Sequence, residues 1–317
     1  MTGNPPSGKT AIVTGANSGI GFACALGLAS KGCQVIVATR NAQKGQEAAK
    51  GINEAVNFLD LVEFMELNTA DFRSIEKFVE EFKASGRPLH ILINNAGTMM
   101  PKDQQGEKTN EGFEVTMGTN YFGPMYLTQL LLDNLKQSAP ARIVNLGSCS
   151  EYGGRVPWDD LKGEQRRESN FDAYGSTKVM LMMAAKALNE RLKGTGVEAF
   201  SAHPGVTTTP LYEKSDRANK PWAFAVDVAQ KLYGQSEERG ASPILYAAAS
   251  PEVTGRGGAF IGGPVGNVAW TGATNLDQFK EREASTTPAV QDPEECRRLY
   301  EATLKIIDEA AKQRVRA

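Results

Sequence analysis

Short runs of Val, Ile and Leu recur along this chain, each followed by a longer segment with helical spacing. That alternation restricts the fold more than any other feature. Candidate strands are Thr10–Thr14, Gln34–Ala38, Val62–Leu67, Leu89–Ile93, Arg142–Leu146, Val197–Ala202 and Gly258–Ile261. Between the first six lie segments of crossover-helix length: Ile20–Lys31, Gln43–Asn53, Ser74–Ala84, Thr116–Lys136 and Tyr174–Lys193. Apolar runs without polar alternation belong to strands buried on both faces. Strand–helix repetition then implies right-handed βαβ units and a covered parallel sheet. The expected fold is α/β: a single doubly wound domain over residues 1–317, with about seven parallel strands and helices on both faces. Its core is expected over 8–263, with a C-terminal helical extension over 264–317.

Composition removes several function classes. Among 317 residues, 35 Lys+Arg stand against 37 Asp+Glu, a net charge of −2. Proteins that grip nucleic acid usually carry a basic excess, so no nucleic-acid partner is expected. The two His, His90 and His203, lie in no metal-ligand spacing, and Cys24, Cys33, Cys149 and Cys296 form no C-x-x-C pair. No metal site and no disulfide framework is expected. Reduced thiols fit a cytosol-like compartment, the cytoplasm or the soluble phase of an organelle, rather than secretion. No apolar run approaches the roughly eighteen residues that span a bilayer, so no integral membrane segment is expected.

The first strand runs into Gly15-Ala16-Asn17-Ser18-Gly19-Ile20-Gly21 and then a helix. Glycines there permit a tight turn and close backbone approach, and the helix amino end offers free N–H groups to a pyrophosphate. At the end of the second strand, dinucleotide folds place an acid for the NAD ribose or an Arg for the NADP phosphate. Here that position reads Thr39-Arg40-Asn41, with no acid, which points to NADP(H). Three loop-rich stretches, Cys149–Asn170, Thr207–Pro221 and Gly262–Pro293, follow strands and would emerge in the crevice where such folds bind ligands.

Tyr174 and Lys178 stand four apart at the start of a helical pattern, hence on one face. A nearby ammonium favours the phenolate and lowers a phenol's pKa. Ser148 follows the buried strand Arg142–Leu146, so its hydroxyl can point into the crevice. Asn94-Asn95-Ala96-Gly97 ends the fourth strand, where backbone and amide groups can hold a ribose. Asn120 lies inside a long helical segment, and an Asn in a buried helix needs a reason such as a water or a kinked backbone.

With these residues in order, the chain resembles the short-chain dehydrogenase/reductases. The signatures span 10–263: the Thr14-Gly15-x-x-x-Gly19-x-Gly21 loop, Asn94–Gly97, Asn120, Ser148, Tyr174-x-x-x-Lys178 and Pro204-Gly205. The resemblance implies a Rossmann fold and an oxidoreductase in which Tyr174 is the general acid/base and Ser148 orients the substrate oxygen. It further implies that Lys178 binds the nicotinamide ribose and that Asn120 holds a water in a proton relay. Val206 would meet the carboxamide and Thr209 the pyrophosphate. Many relatives carry an Asp after the third strand; this chain has Leu67-Asn68-Thr69, and the Asn68 carbonyl can accept the same adenine bond. Within the superfamily the likeness is to the retinol-dehydrogenase and WW-domain-oxidoreductase branch, through Thr39-Arg40-Asn41, Trp158-Asp159-Asp160-Leu161 and His203-Pro204-Gly205-Val206. Chloroplast-envelope members are similar as well.

Met99, Met100, Tyr152, Trp158, Leu211, Tyr212 and Trp222 supply apolar surface beyond the strands, which suits a bulky apolar carbonyl or alcohol substrate and equally suits packing of the loops against one another. The rival reading is an NADP(H)-binding scaffold that regulates a partner, with Leu299, Thr303, Ile306 and Ala310 of the segment Pro293–Arg316 as its docking stripe. Residues 292–317 hold six basic and six acidic side chains, which favours docking of that stripe on its own domain. The helices Thr116–Lys136 and Tyr174–Lys193 pair subunits in many relatives, so a homo-oligomer is compatible with the sequence.

Overall fold

A computed structural model describes residues 8–58, 60–99, 106–165, 170–205, 236–262 and 287–316. Seven strands form one sheet: β1 (Thr10–Thr14), β2 (Gln34–Thr39), β3 (Val62–Glu66), β4 (Ile91–Asn94), β5 (Ala141–Leu146), β6 (Val197–His203) and β7 (Phe260–Gly262). The spatial order is β3-β2-β1-β4-β5-β6-β7 and every pairing is parallel. Neighbours change direction of succession between β1 and β4, and that is where a crevice opens at the carboxyl ends.

Period-two alternation divides each strand between two cores. Ile12, Ile36, Leu92 and Ile143 face one; Val13, Val37, Ile93 and Val144 face the other. On the second face lie α1 (Gly19–Ala29) and α2 (Ala42–Val56), together with a helix over Glu237–Ala249. On the first lie α3 (Phe72–Ala84), a helical run from Val115 to Gln137, and α6 (Asn170–Arg191). Covering both faces is what allows strands this apolar to persist.

Two departures from the expected pattern are informative. The run over 116–136 is not one regular helix: α4 (Val115–Met117) passes through a π-helical turn at Gly118–Phe122 into α5 (Gly123–Gln137). The helix Glu237–Ala249, here α7, lies beyond the expected crossover helices, and Gly240 and Pro243 interrupt its pattern. Packing against α1 and a Ser236 side-chain cap on Arg239 N override that weak propensity.

After α8 (Pro288–Gln291), the C-terminal helix α9 (Pro293–Arg316) lies along α6. Its buried stripe is Leu299, Thr303, Ile307 and Ala310, one step from the expected set, since Ile306 is only partly covered. Tyr300 accepts a bond from Gln129 Nε2 at 2.6 Å, and Arg314 pairs with Glu76 of α3. The stripe docks on its own chain. Among the described residues, no helix is long and apolar enough to cross a membrane.

Candidate active site

The loop after β1 is shaped by what glycine lacks. Gly15 and Gly19 have φ of +66° and +63°, a region that costs an L side chain strain. A Cβ on Gly15 would also stand 2.9 Å from Ala96 Cα. Gly21 is buried, and a Cβ there would meet the Asn95 amide and the Gly15 carbonyl, so it serves the packing of α1 on the loop. Thr14 Oγ1 accepts from Asn95 N at 3.0 Å and Ala96 N at 2.9 Å, while Asn95 Nδ2 donates to Thr14 O at 2.8 Å. The Asn95 amide is thus committed to holding the loop, which leaves Ala96 and the exposed Gly97 at the crevice. Asn94 is buried and donates to Thr128 and Asn145, locking β4 to α5 and β5.

At the end of β2, Thr39 Oγ1 donates to Asn17 Oδ1 at 2.9 Å and so seats the glycine loop beside the exposed Arg40. Ser18 is exposed, Ile20 buried. Asn41 caps α2, its side chain accepting from Lys44 N at 2.9 Å. Asn68 Oδ1 accepts from Ala70 N at 3.2 Å, which leaves one lone pair of that carbonyl. Thr69 is buried, with its carbonyl packed where a side chain on Gly123 would stand.

Three turns meet at the start of α6. Ser148 ends the strand region of β5 and caps a 3-10 turn over Cys149–Gly153. Its Oγ accepts from Ser150 N at 3.1 Å and lies 3.1 Å from Ser150 Oγ. This turn touches α6 backbone to backbone. A Cβ on Gly175 would stand 2.6 Å from Ser150 O, and Gly154 packs against the Gly175 carbonyl. Gly175 directly follows Tyr174, so the absent side chain is what brings the Ser148 turn to the phenol-bearing turn.

Tyr174 is buried to 5% exposure and Lys178 to 2%. Lys178 Nζ donates to Leu146 O at 2.8 Å and stands 5.3 Å from the Tyr174 ring centroid. Burial pulls the Lys178 amine down from 10.5 to about 7. Asn120 sits in the π turn with no exposed surface. Its Oδ1 accepts from Thr98 N at 2.7 Å, and its Nδ2 donates to Thr98 O at 2.8 Å and Thr177 Oγ1 at 3.4 Å. The kink anticipated from a buried Asn is a π turn, a feature that recurs at functional sites.

His203 ends β6, its Nδ1 buried without a hydrogen-bond partner, and burial, then the Lys178 charge, bring it down to about 4. Glu151, in the Ser148 turn, is buried and accepts from Thr287 N at 3.4 Å; burial raises its carboxyl to about 7. The Glu151 contact was not anticipated. Among the described residues no group of His, Cys, Asp and Glu could hold a metal ion.

The residues expected on the substrate side are placed as follows where the structure describes them. Met99 is fully buried behind β4. Trp158 packs on the core, with the Arg298 guanidinium of α9 3.9 Å over its ring, so its visible contacts are structural. The Tyr152 backbone lies in the Ser148 turn, its side chain outside what is described. Met100, Val206, Thr209, Leu211, Tyr212 and Trp222 also lie outside the described residues. Pro204 is buried and Gly205, at φ +80°, follows it at the carboxyl end of β6.

A seven-stranded parallel sheet, a glycine turn at its switch point and a buried Tyr–Lys pair define a dinucleotide-fold enzyme architecture. Residues 9–220 match the model of the short chain dehydrogenase family, and the chain belongs to that family. It is 44% identical over 209 residues to mouse retinol dehydrogenase 12, covering 66% of this chain and 64% of that one. That match therefore spans just under two thirds of the relative. Mouse retinol dehydrogenase 13 is 34% identical over 302 residues, covering 95% and 84%. Zebrafish polyprenol dehydrogenase is 37% identical over 265 residues, covering 80% and 78%. A solved structure of an uncharacterized protein from Mycobacterium Paratuberculosis superimposes with a TM-score of 0.71 at 27% identity, covering 95% and 93%.

Proposed function

We propose that this chain is an NADP(H)-dependent oxidoreductase that interconverts a carbonyl and an alcohol on a bulky apolar substrate, retinal-like or another aldehyde or ketone. The observation that carries the reading is Lys178, buried behind Tyr174 with one donor on Leu146 O. An ammonium has three donors, and burying one costs free energy unless something charged or polar meets it. Ribose hydroxyls at the carboxyl ends of β4 and β5 would meet it. The glycine loop fits the same ligand, since Gly15 and Gly19 take positive φ in the turn into α1, whose amino end offers free N–H groups to a pyrophosphate. Arg40, beside that loop, suits a 2′-phosphate. Bound NADPH would supply the hydride.

The chain's own residues would handle the proton and the orientation. Tyr174 donates its phenolic proton to the carbonyl oxygen, or takes one from an alcohol in the reverse direction. Lys178, recharged by contact with the cofactor, favours the phenolate and keeps that transfer feasible near neutral pH. The Ser148 hydroxyl accepts from Ser150 N–H and donates to Ser150 Oγ; turned from Ser150 to the substrate oxygen, that hydrogen would orient the carbonyl. Asn120, its amide held by Thr98 and Thr177, would keep a water in a proton relay at the π turn. Retinol and polyprenol, named in two relatives, are long and apolar, in keeping with the substrate class.

Turnover of a panel of long-chain aldehydes and ketones, followed by NADPH absorbance, tests the reading. Tyr174→Phe should lower kcat by about 10²–10⁴-fold with NADPH binding retained. Equal turnover in the variant would remove Tyr174 from its role. NADPH binding without turnover on any carbonyl would favour the scaffold reading instead.

A further inference from the structure

The C-terminal helix reaches the site at a point the proposed chemistry does not use. Thr303 lies on the buried stripe of α9, and its hydroxyl donates to Leu299 O at 2.8 Å. Its oxygen is left as an acceptor, so the Tyr121 phenol, 2.7 Å away, donates to Thr303 Oγ1. Burial pushes that phenol far above its ordinary range, which keeps it a donor. Tyr121 is the residue after Asn120 in the π turn.

π turns are rare and arise where something other than the regular ladder sustains them. This one is held from three directions. Asn120 is stitched to Thr98 by two bonds, and the glycine at 123 admits the Thr69 carbonyl. The third hold is the phenol on Thr303, from a helix 182 residues away in sequence.

We propose that Thr303 is a positioning residue for Asn120, acting through the Tyr121 phenol, so that the C-terminal helix belongs to the catalytic apparatus. Its catalytic consequence rests on the oxidoreductase reading above; the tether itself does not. Removing the acceptor strands a fully buried O–H, and such a donor moves to find a partner. Tyr121 shifting carries the adjoining Asn120 backbone with it, and small misplacements of a reacting constellation are expensive in rate.

The test uses the full chain with Thr303→Val, which keeps the shape and removes the acceptor, and Thr303→Ser, which keeps the acceptor. Amide exchange of the peptide covering 115–125 reads the tether; kcat, KM and NADPH Kd read its consequence. Thr303→Val should speed exchange at 118–122 and lower kcat, each on the order of tenfold, with KM and Kd within about twofold. Thr303→Ser should restore both. Unchanged exchange in the Val variant overturns the proposal, as does a Ser variant as impaired as Val. A loss shared equally by kcat, KM, Kd and melting temperature overturns it too, since that marks general loosening. A wild-type chain inert on every carbonyl removes the oxidoreductase reading, and exchange at 118–122 then decides the tether alone.

Discussion

The glycine loop and the Ser148–Tyr174 region sit at the same end of the sheet but are built on different principles. The loop after β1 is held by neighbours in the central strands: Thr14, Asn95 and Thr39 bond it from β1, β4 and β2. Its essential property is backbone shape, set by glycines at positive φ. The Ser148–Tyr174 region is held by contacts among turns and helices outside the sheet: Gly175 against the 148–154 turn, Asn120 on Thr98, and, from the C-terminal helix, Thr303 under Tyr121 and Arg298 over Trp158. Binding a dinucleotide needs a preformed cradle; aligning three side chains needs contacts that fix their distances. Damage to one region should therefore leave the other's function standing.

Gly175→Ala offers the largest break in that comparison. A methyl would stand 2.6 Å from Ser150 O and push the Ser148 turn off α6. Turnover should fall by about a hundredfold, while NADPH titration by fluorescence stays near wild type. A matching loss of NADPH affinity would show the two regions to be one unit. Arg40→Ala is the converse. Losing a charge-assisted pair worth roughly 1.5–3 kcal/mol should weaken NADPH by about 10–150-fold, leave NADH binding unchanged and leave kcat at saturating NADPH intact. Equal losses for both cofactors would end the 2′-phosphate assignment.

Lys178 yields a smaller, pH-linked effect. Its folded-state value of about 7 lies below the ordinary 10.5. Between those values the unfolded chain binds the additional proton, so cofactor-free stability should rise with pH through that window and level off above it. Below about 7 both states carry the proton and the contribution is constant. In Lys178→Met, denaturant midpoints measured across that window should lose this upward slope; an unchanged slope would place its origin elsewhere. The smallest effect is expected of Arg298→Ala, which removes a partly exposed guanidinium from the Trp158 ring. About 0.5–1 kcal/mol of stability should go, with no change in NADPH affinity.

Legibility in the sequence followed the same division. The strands were readable because burial on both faces leaves unbroken Val/Ile runs, and β1 to β7 fall within a few residues of their expected places. The glycine loop was readable because positive φ leaves a compositional mark. Tyr174 and Lys178 were readable as a helical pair, and the shared burial that gives the pair its chemistry comes from packing. Thr303 was readable as part of a helical stripe but its bond to Tyr121 was not, and Glu151 and Gly154 carried no mark, since each contact is set by packing between separate elements. Asn41 and Trp158 are residue types suited to a ligand that also take intrachain contacts, a helix cap and an Arg over the ring, which residue type alone does not foretell.

By itself, then, the sequence determined the order of layers, the glycine turn and which side chains could carry a proton, because hydrophobic period, backbone freedom and functional group are local properties. Only the tertiary structure decided which of them face one another. The π turn, the burial that depresses Lys178 and the reach of the last helix to Tyr121 depend on contacts across the fold, and such contacts leave no periodic trace in the order of residues.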